Sequence, residues 1–163
     1  LVLQGSSEYI KVEDFPADPT PGRLIYEEHN YTPYQFTLMG EDQSWGSMFY
    51  YWGEGHHSTI EPDRNPTWRE EEEQDKYFQR IKENFVDKGI PVLMGEYGAY
   101  RRTTPRDMAT HNDAVDYWIT YVTKQAIDHG IKPFFWDTDG AIDRNTNMVI
   151  DQRTIDAIVA GTE

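Results

Sequence analysis

I-P-V-L-M-G-E-Y-G-A-Y, residues Ile90 to Tyr100, follows a helix-like run that ends at Lys88-Gly89. Pro91 to Met94 is apolar without alternation and is bounded by glycine. A strand buried on both faces reads this way, which suits a parallel sheet. One carboxylate, Glu96, stands at the end of the strand, with Tyr97 and Gly98 beside it. Parallel α/β barrels carry their chemistry at that end of their strands. Taken alone, Glu96 reads equally well as a cap for the next helix or a partner for Arg101 or Arg102, since charged strand ends are common. The other strand ends decide the matter.

On the N-terminal side, Leu1 to Gln4 reads as a buried strand, and Ser6 to Gly22, with Pro16, Pro19 and Pro21, as irregular chain. Arg23 to His29 is a second strand. Gln35 to Asn65 is a long loop whose aromatics (Trp45, Phe49, Tyr50, Tyr51, Trp52) argue against disorder. Thr67 to Lys88 predicts a helix capped by Thr67, with Tyr77, Phe78, Ile81 and Phe85 at helical spacing. The Glu70 to Glu73 run reads as a solvated face in the first turns, where the helix dipole favours negative charge. On the C-terminal side, Asp107 to His129 is a second long helix, stopped by Gly130. Lys132 to Trp136 is a fourth strand, Asp137 to Asn147 a polar turn region, and Asp151 to Ala160 a last helix capped by Asp151. Strands separated by helical returns imply right-handed βα units in an α/β domain.

The 163 residues suffice for one domain with a sizeable core. A formal charge of −14 repels phosphate backbones and anionic lipid, so neither nucleic acid nor a membrane surface is an expected partner. No cysteine is present, which excludes disulfides and thiolate metal sites. No apolar run approaches a membrane span. The chain shows no signal peptide; opening directly on an apolar strand suggests that it starts in the middle of a fold. Aromatics make up 14% of the residues, many of them in polar, loop-like stretches. Such rings serve either as core bulk or as flat surfaces for ligands such as sugars.

The strand ends carry Gln4, His29 with Tyr31, Glu96 and Trp136. On one rim these make a sugar site: an indole to stack on a pyranose, a histidine for hydroxyls, and a tyrosine that donates to the carboxylate. Weaker signals carry less. His56-His57 beside Glu54 and Glu61 lacks convergent zinc ligands, and Asp137 to Asp143 lacks the spacing of a calcium loop. Asn30-Tyr31-Thr32 is a glycosylation sequon by coincidence.

Four motifs in order, H-N-Y-T-P-Y-Q-F (His29 to Phe36), S-W-G-S-M-F-Y-Y-W-G (Ser44 to Gly53), V-L-M-G-E-Y-G-A (Val92 to Ala99) and P-F-F-W-D (Pro133 to Asp137), resemble the C-terminal half of a glycoside hydrolase family 5 cellulase, an endo-β-1,4-glucanase. The resemblance implies half of a (β/α)₈ barrel, strands 5 to 8, over residues 1–163. It implies Glu96 as catalytic nucleophile, His29 and Tyr31 as the His-x-Tyr after strand 6, and Trp136 as the stacking tryptophan that ends strand 8. Tyr34, Trp45, Trp52 and Asp137 are further substrate-side candidates. No metal or organic cofactor is implied. The expected partner is β-1,4-glucan or a related polysaccharide such as xyloglucan or mannan, and a polymeric substrate points to a secreted or periplasmic protein.

The family's Asn-Glu pair, which bears the acid/base, has no counterpart in this sequence. Retaining hydrolysis needs two carboxylates roughly 5 Å apart. A second chain is therefore expected to complete the barrel, either a missing N-terminal half or a twofold-related copy whose Asp137 stands in as the acid, the remaining alternative being a half-barrel that stands alone with loops folded over the gap. The competing reading is a catalytically incomplete fragment that binds glucan or serves only in assembly.

Overall fold

The computed structural model describes residues 20–163 and the backbone of one N-terminal strand, Val2–Gln4. Most of the expected irregular segment, Ser6 to Gly22, lies outside the described residues.

Four parallel strands, β1 (Val2–Gln4), β2 (Ile25–Asn30), β3 (Val92–Tyr97) and β4 (Lys132–Phe135), lie in sequence order in one sheet. Between β2 and β3 run a short helix α1 (Tyr34–Thr37), a long irregular loop and helix α2 (Glu71–Asn84). Helix α3 (Met108–Asp128) returns the chain to β4. A two-stranded antiparallel pair, β5 (Ile142–Asp143) and β6 (Met148–Val149), then occupies the expected polar turn, followed by helix α4 (Gln152–Ala160).

Each long helix buries the stripe that its periodicity predicts. Tyr77, Phe78 and Ile81 of α2 face the sheet, as do Val115, Trp118, Ile119, Val122 and Ala126 of α3. Asp107 caps α3 by accepting from the Thr110 amide at 3.3 Å, and Asp151 caps α4 through the Thr154 amide at 3.3 Å. Gly130 closes α3 in the left-handed region, at φ 77°.

The start of α2 differs from expectation. Thr67 does not cap it; the helix begins at Glu71, because Arg69 sits at φ 60° and its carbonyl accepts the Trp52 indole N–H at 2.9 Å. The glutamate run is also not merely a solvated face. Glu70 accepts from the Gly53 amide at 2.9 Å and Glu71 from the Glu54 amide at 2.7 Å, so together they clamp the long loop to α2.

Strand β2 alternates. Tyr26, Glu28 and Asn30 are buried towards the helices, while Ile25, Glu27 and His29 are half-buried on the other face. Tyr26 stacks on Phe85 at 3.9 Å between ring centroids. Strand β3 does not keep strict alternation. Glu28 pairs with Met94 but His29 pairs with Glu96, so Gly95 is an extra residue on β3. Val92, Met94 and Tyr97 stay buried, and Glu96 shares the half-buried face with His29. Among the described residues, no helix is long and apolar enough to cross a membrane.

Candidate active site

Tyr31 leaves β2 in a turn that is tied down from several sides. Asn30 donates to Gln74 of α2 at 2.8 Å and accepts the Thr32 amide at 3.1 Å. The Thr32 carbonyl accepts from Gln74 at 2.6 Å and from the Trp118 indole at 3.1 Å. The Thr37 hydroxyl donates to the Tyr31 carbonyl at 2.6 Å. These bonds tie the turn to α1, α2 and α3 and so fix where the Tyr31 ring goes.

That place is Glu96. The Tyr31 hydroxyl donates to Glu96 Oε2 at 3.0 Å, and His29 Nδ1 lies 3.4 Å from the same oxygen. Burial, then the Glu96 carboxylate, pushes the Tyr31 pKa well above the ordinary phenol value, so the hydroxyl remains a donor across the working pH range. Neither of the bland readings of Glu96 holds. The cap of α3 is Asp107. Arg101 pairs with Asp116 and Asp151, and Arg102 donates to the Gln35, Phe36 and Met39 carbonyls.

Glu96 and Tyr31 open onto a cleft of about 680 Å³ that is also lined by Trp136, Asp137, Tyr100 and Arg101. Trp136 follows β4, donates its amide to the Tyr97 carbonyl at 2.9 Å and leaves its indole half-exposed. The cleft thus brings together a carboxylate, a phenol and an indole, with the His29 imidazole beside the carboxylate. One carboxylate can attack or stabilise a cation, a phenol can hold it in place, and an exposed indole offers a sugar ring an apolar face.

The other sequence candidates separate. Trp45 is 62% exposed, with Tyr34 beside it at 6.3 Å between ring centroids, and forms an open aromatic pair. Trp52 is fully buried, packed against Tyr117 and Tyr121, so it cannot meet a ligand; its role is in the core. Asp137 lines the cleft, but its carboxylate turns back into its own loop. It accepts from the Gly140 and Ala141 amides at 2.9 Å and from the Ile142 amide at 3.2 Å. Burial works against ionisation there, but the amide donors outweigh it and hold the Asp137 carboxyl below the usual carboxylate range. A group held ionised in this way is a poor proton donor at neutral pH, which removes the physical basis for Asp137 as a stand-in acid.

Sequence reading also missed a feature. Glu27 lies on the same face as His29, and its Oε1 is 3.4 Å from His29 Nε2. The period-2 pattern of β2 contained that signal, because Glu27 and His29 are two residues apart. Among the described residues no cluster of metal-ligating side chains occurs, and His57 instead pairs with Glu70 at 2.8 Å.

A parallel sheet with a carboxylate at the C-terminal end of one strand and an exposed indole at the end of the next is the arrangement that parallel α/β barrels place on their catalytic face. The family model described as "Cellulase (glycosyl hydrolase family 5)" matches residues 3–141, and the chain belongs to that family of glycoside hydrolases. Membership carries the (β/α)₈ barrel fold. A xyloglucan-specific endo-β-1,4-glucanase of Bacteroides ovatus is 28% identical over 151 residues, covering 90% of this chain and 28% of its own length. Endoglucanase A of Paenibacillus barcinonensis is 26% identical over 166 residues, covering 94% of this chain and 38% of its own. The solved structure of a xyloglucan-specific β-1,4-glucanase from a ruminal metagenomic library, in complex with XXLG, superposes with a TM-score of 0.82 at 32% identity, over 98% of this chain and 45% of that one. The chain therefore spans less than half the length of these relatives.

Proposed function

We propose that this chain carries the nucleophile half of a retaining endo-β-1,4-glucanase site. The observation that supports it is Glu96, raised onto the cleft rim by the β3 bulge and held by the Tyr31 hydroxyl at 3.0 Å with His29 beside it. In this reading Glu96 attacks the anomeric carbon. Tyr31 and His29 aim and hold the carboxylate, and Trp136 stacks on the sugar next to the cleavage point. Tyr34 and Trp45 extend the aromatic surface to a neighbouring subsite. Retention requires a second carboxylate roughly 5 Å away, to protonate the leaving oxygen and then activate water.

Residues 1–163 correspond, on this reading, to strands 5 to 8 of the barrel. Among the described residues β1 and β4 are the outer strands of the sheet, and this, with the coverage of 45% of a solved relative, supports a second piece of chain as the completing element. A missing N-terminal half fits better than a second copy, because the Asp137 carboxylate is already committed to three amides of its own loop. The substrate is a β-1,4-glucan. Xyloglucan is the favoured form, because two of the relatives are named for that polysaccharide. Such polymers lie outside the cell, and a secreted or periplasmic location follows.

The test is reducing-sugar release from soluble β-1,4-glucan and from xyloglucan, with Glu96→Gln beside the parent. Activity that vanishes in the variant supports the assignment. Activity that survives it, or a folded protein that stays inactive when supplied with an N-terminal half-barrel, refutes it.

A further inference from the structure

Glu27 has no part in the chemistry just described, yet it is built into the same centre. Its carboxylate lies across Gly95, the extra residue of the β3 bulge, and a Cβ at Gly95 would overlap that carboxylate. From there Oε1 reaches His29 Nε2 at 3.4 Å, while Nδ1 on the other side of the ring faces Glu96 at 3.4 Å. A carboxylate only accepts, so Nε2 is the donor in the Glu27 contact, which helps to set the plane of the ring; by the same rule Nδ1 hydrogen-bonds Glu96 only when it too carries a proton. Glu27 on its own strand and Glu96 on β3 face the imidazole, and Tyr31 after β2 donates to Glu96.

We propose that Glu27 is a positioning residue for the Glu96 centre: seated over Gly95, it holds the His29 imidazole with Nδ1 turned to Glu96. This rests on Glu96 being the nucleophile. Gly95 then has two roles. As the extra residue it turns Glu96 to the face of His29, and without a side chain it leaves room for the Glu27 carboxylate. An acidic residue two positions before the histidine and a glycine before the nucleophile act as one unit.

The experiment is a double-variant cycle in the intact protein, with Glu27→Ala, Gly95→Ala and the pair together. Gly95 is not in a left-handed conformation, so alanine is resisted there by the Glu27 carboxylate rather than by backbone strain. Each single variant is expected to lower kcat by ~10²-fold with little change in KM, as misplacement of a reacting group does. The double variant is expected to be no worse than Glu27→Ala, because alanine at position 27 vacates the space. Glu27→Gln, which keeps an acceptor oxygen, recovers part of the loss.

Long-range proton–nitrogen spectra of the His29 ring read the same contact without activity. They should show a fixed proton on Nε2 in the parent and an averaged one in Glu27→Ala. If the losses multiply in the double variant, or the His29 spectrum is indifferent to Glu27→Ala, the proposal is wrong. If Glu96→Gln keeps full activity while the His29 spectrum still responds to Glu27, the contact stands and the glucanase reading is what fails.

Discussion

Replacing Glu28 by glutamine should stabilise this protein at neutral and alkaline pH and not at acid pH. Glu28 is 2% exposed, on the face of β2 that packs against the helices. One of its oxygens accepts from the Tyr26 hydroxyl; the other has no hydrogen-bond partner among the described residues. Burial pushes its pKa up from 4.5 to about 7, against the smaller opposing pull of the Tyr26 hydroxyl and the His29 amide. The folded state therefore binds a proton that the unfolded chain has released anywhere between those values. Stability is fully present below pH 4.5 and falls as pH rises through about 7. The shift corresponds to on the order of 3 kcal/mol at 1.36 kcal/mol per pH unit. Glutamine removes that penalty but leaves an amide N–H in the place of the unpartnered oxygen, at about 1 kcal/mol. The net gain is ~2 kcal/mol at pH 8, or ~1 M in the urea midpoint for a slope near 2 kcal/mol/M. Urea titrations of parent and variant at pH 4.5 and pH 8 measure it, and the difference between them cancels every other titrating group. Equal effects at the two pH values, or a loss at pH 8, would refute the argument from burial.

Two further outcomes separate site from scaffold. Tyr31→Phe removes the only hydroxyl that donates to Glu96 among the described residues; initial-rate kinetics should show kcat reduced by ~10²-fold with KM nearly unchanged. The two loop tryptophans should behave oppositely. Trp52→Ala opens the core beside Tyr117 and Tyr121 and should cost ~3–5 kcal/mol of stability by denaturant titration. Trp45→Ala should leave stability alone and raise KM for long glucan chains by ~2–10-fold, the worth of one aromatic contact.

The contrast between those tryptophans shows where sequence reading stops. Both sit in one irregular stretch seven residues apart, with no periodicity to tell buried from exposed. Burial there is decided by partners distant in the chain: Trp52 is fixed by the Arg69 carbonyl and by two tyrosines of α3, contacts that no local pattern encodes. The same holds for His111, which is fully buried and bridges the Tyr50 carbonyl to the Arg102 amide. Where a pattern is local, most of the reading holds, the Thr67 cap of α2 being the exception. The stripes on α2 and α3 carry their own period, Asp107 and Asp151 cap as their positions imply, and four parallel strands follow from apolar runs between helices. That His29, Tyr31, Glu96 and Trp136 come near one another was legible for the same reason, since strand ends in a parallel sheet share a rim. Asp137 was not, because an aspartate before a glycine-containing turn looks the same whether it faces a ligand or its own amides.

The bulge at Gly95 explains how one short strand serves both core and site. With Val92 and Met94 buried towards the helices, strict alternation would bury Glu96 beside them and turn Tyr97 to the opposite face. That would desolvate a carboxylate in the helix layer and strip the core of the ring that packs on Trp118 and bonds Thr123 at 2.7 Å. One inserted residue reverses both consequences: Glu96 joins His29 and Tyr97 joins Asn30 in the paired register. A side chain on the inserted residue would displace the Glu27 carboxylate, so glycine is what leaves that carboxylate in place. The chemistry and the stability of β3 therefore rest on the same residue, and a variant that repaired the register by deleting Gly95 would lose both at once.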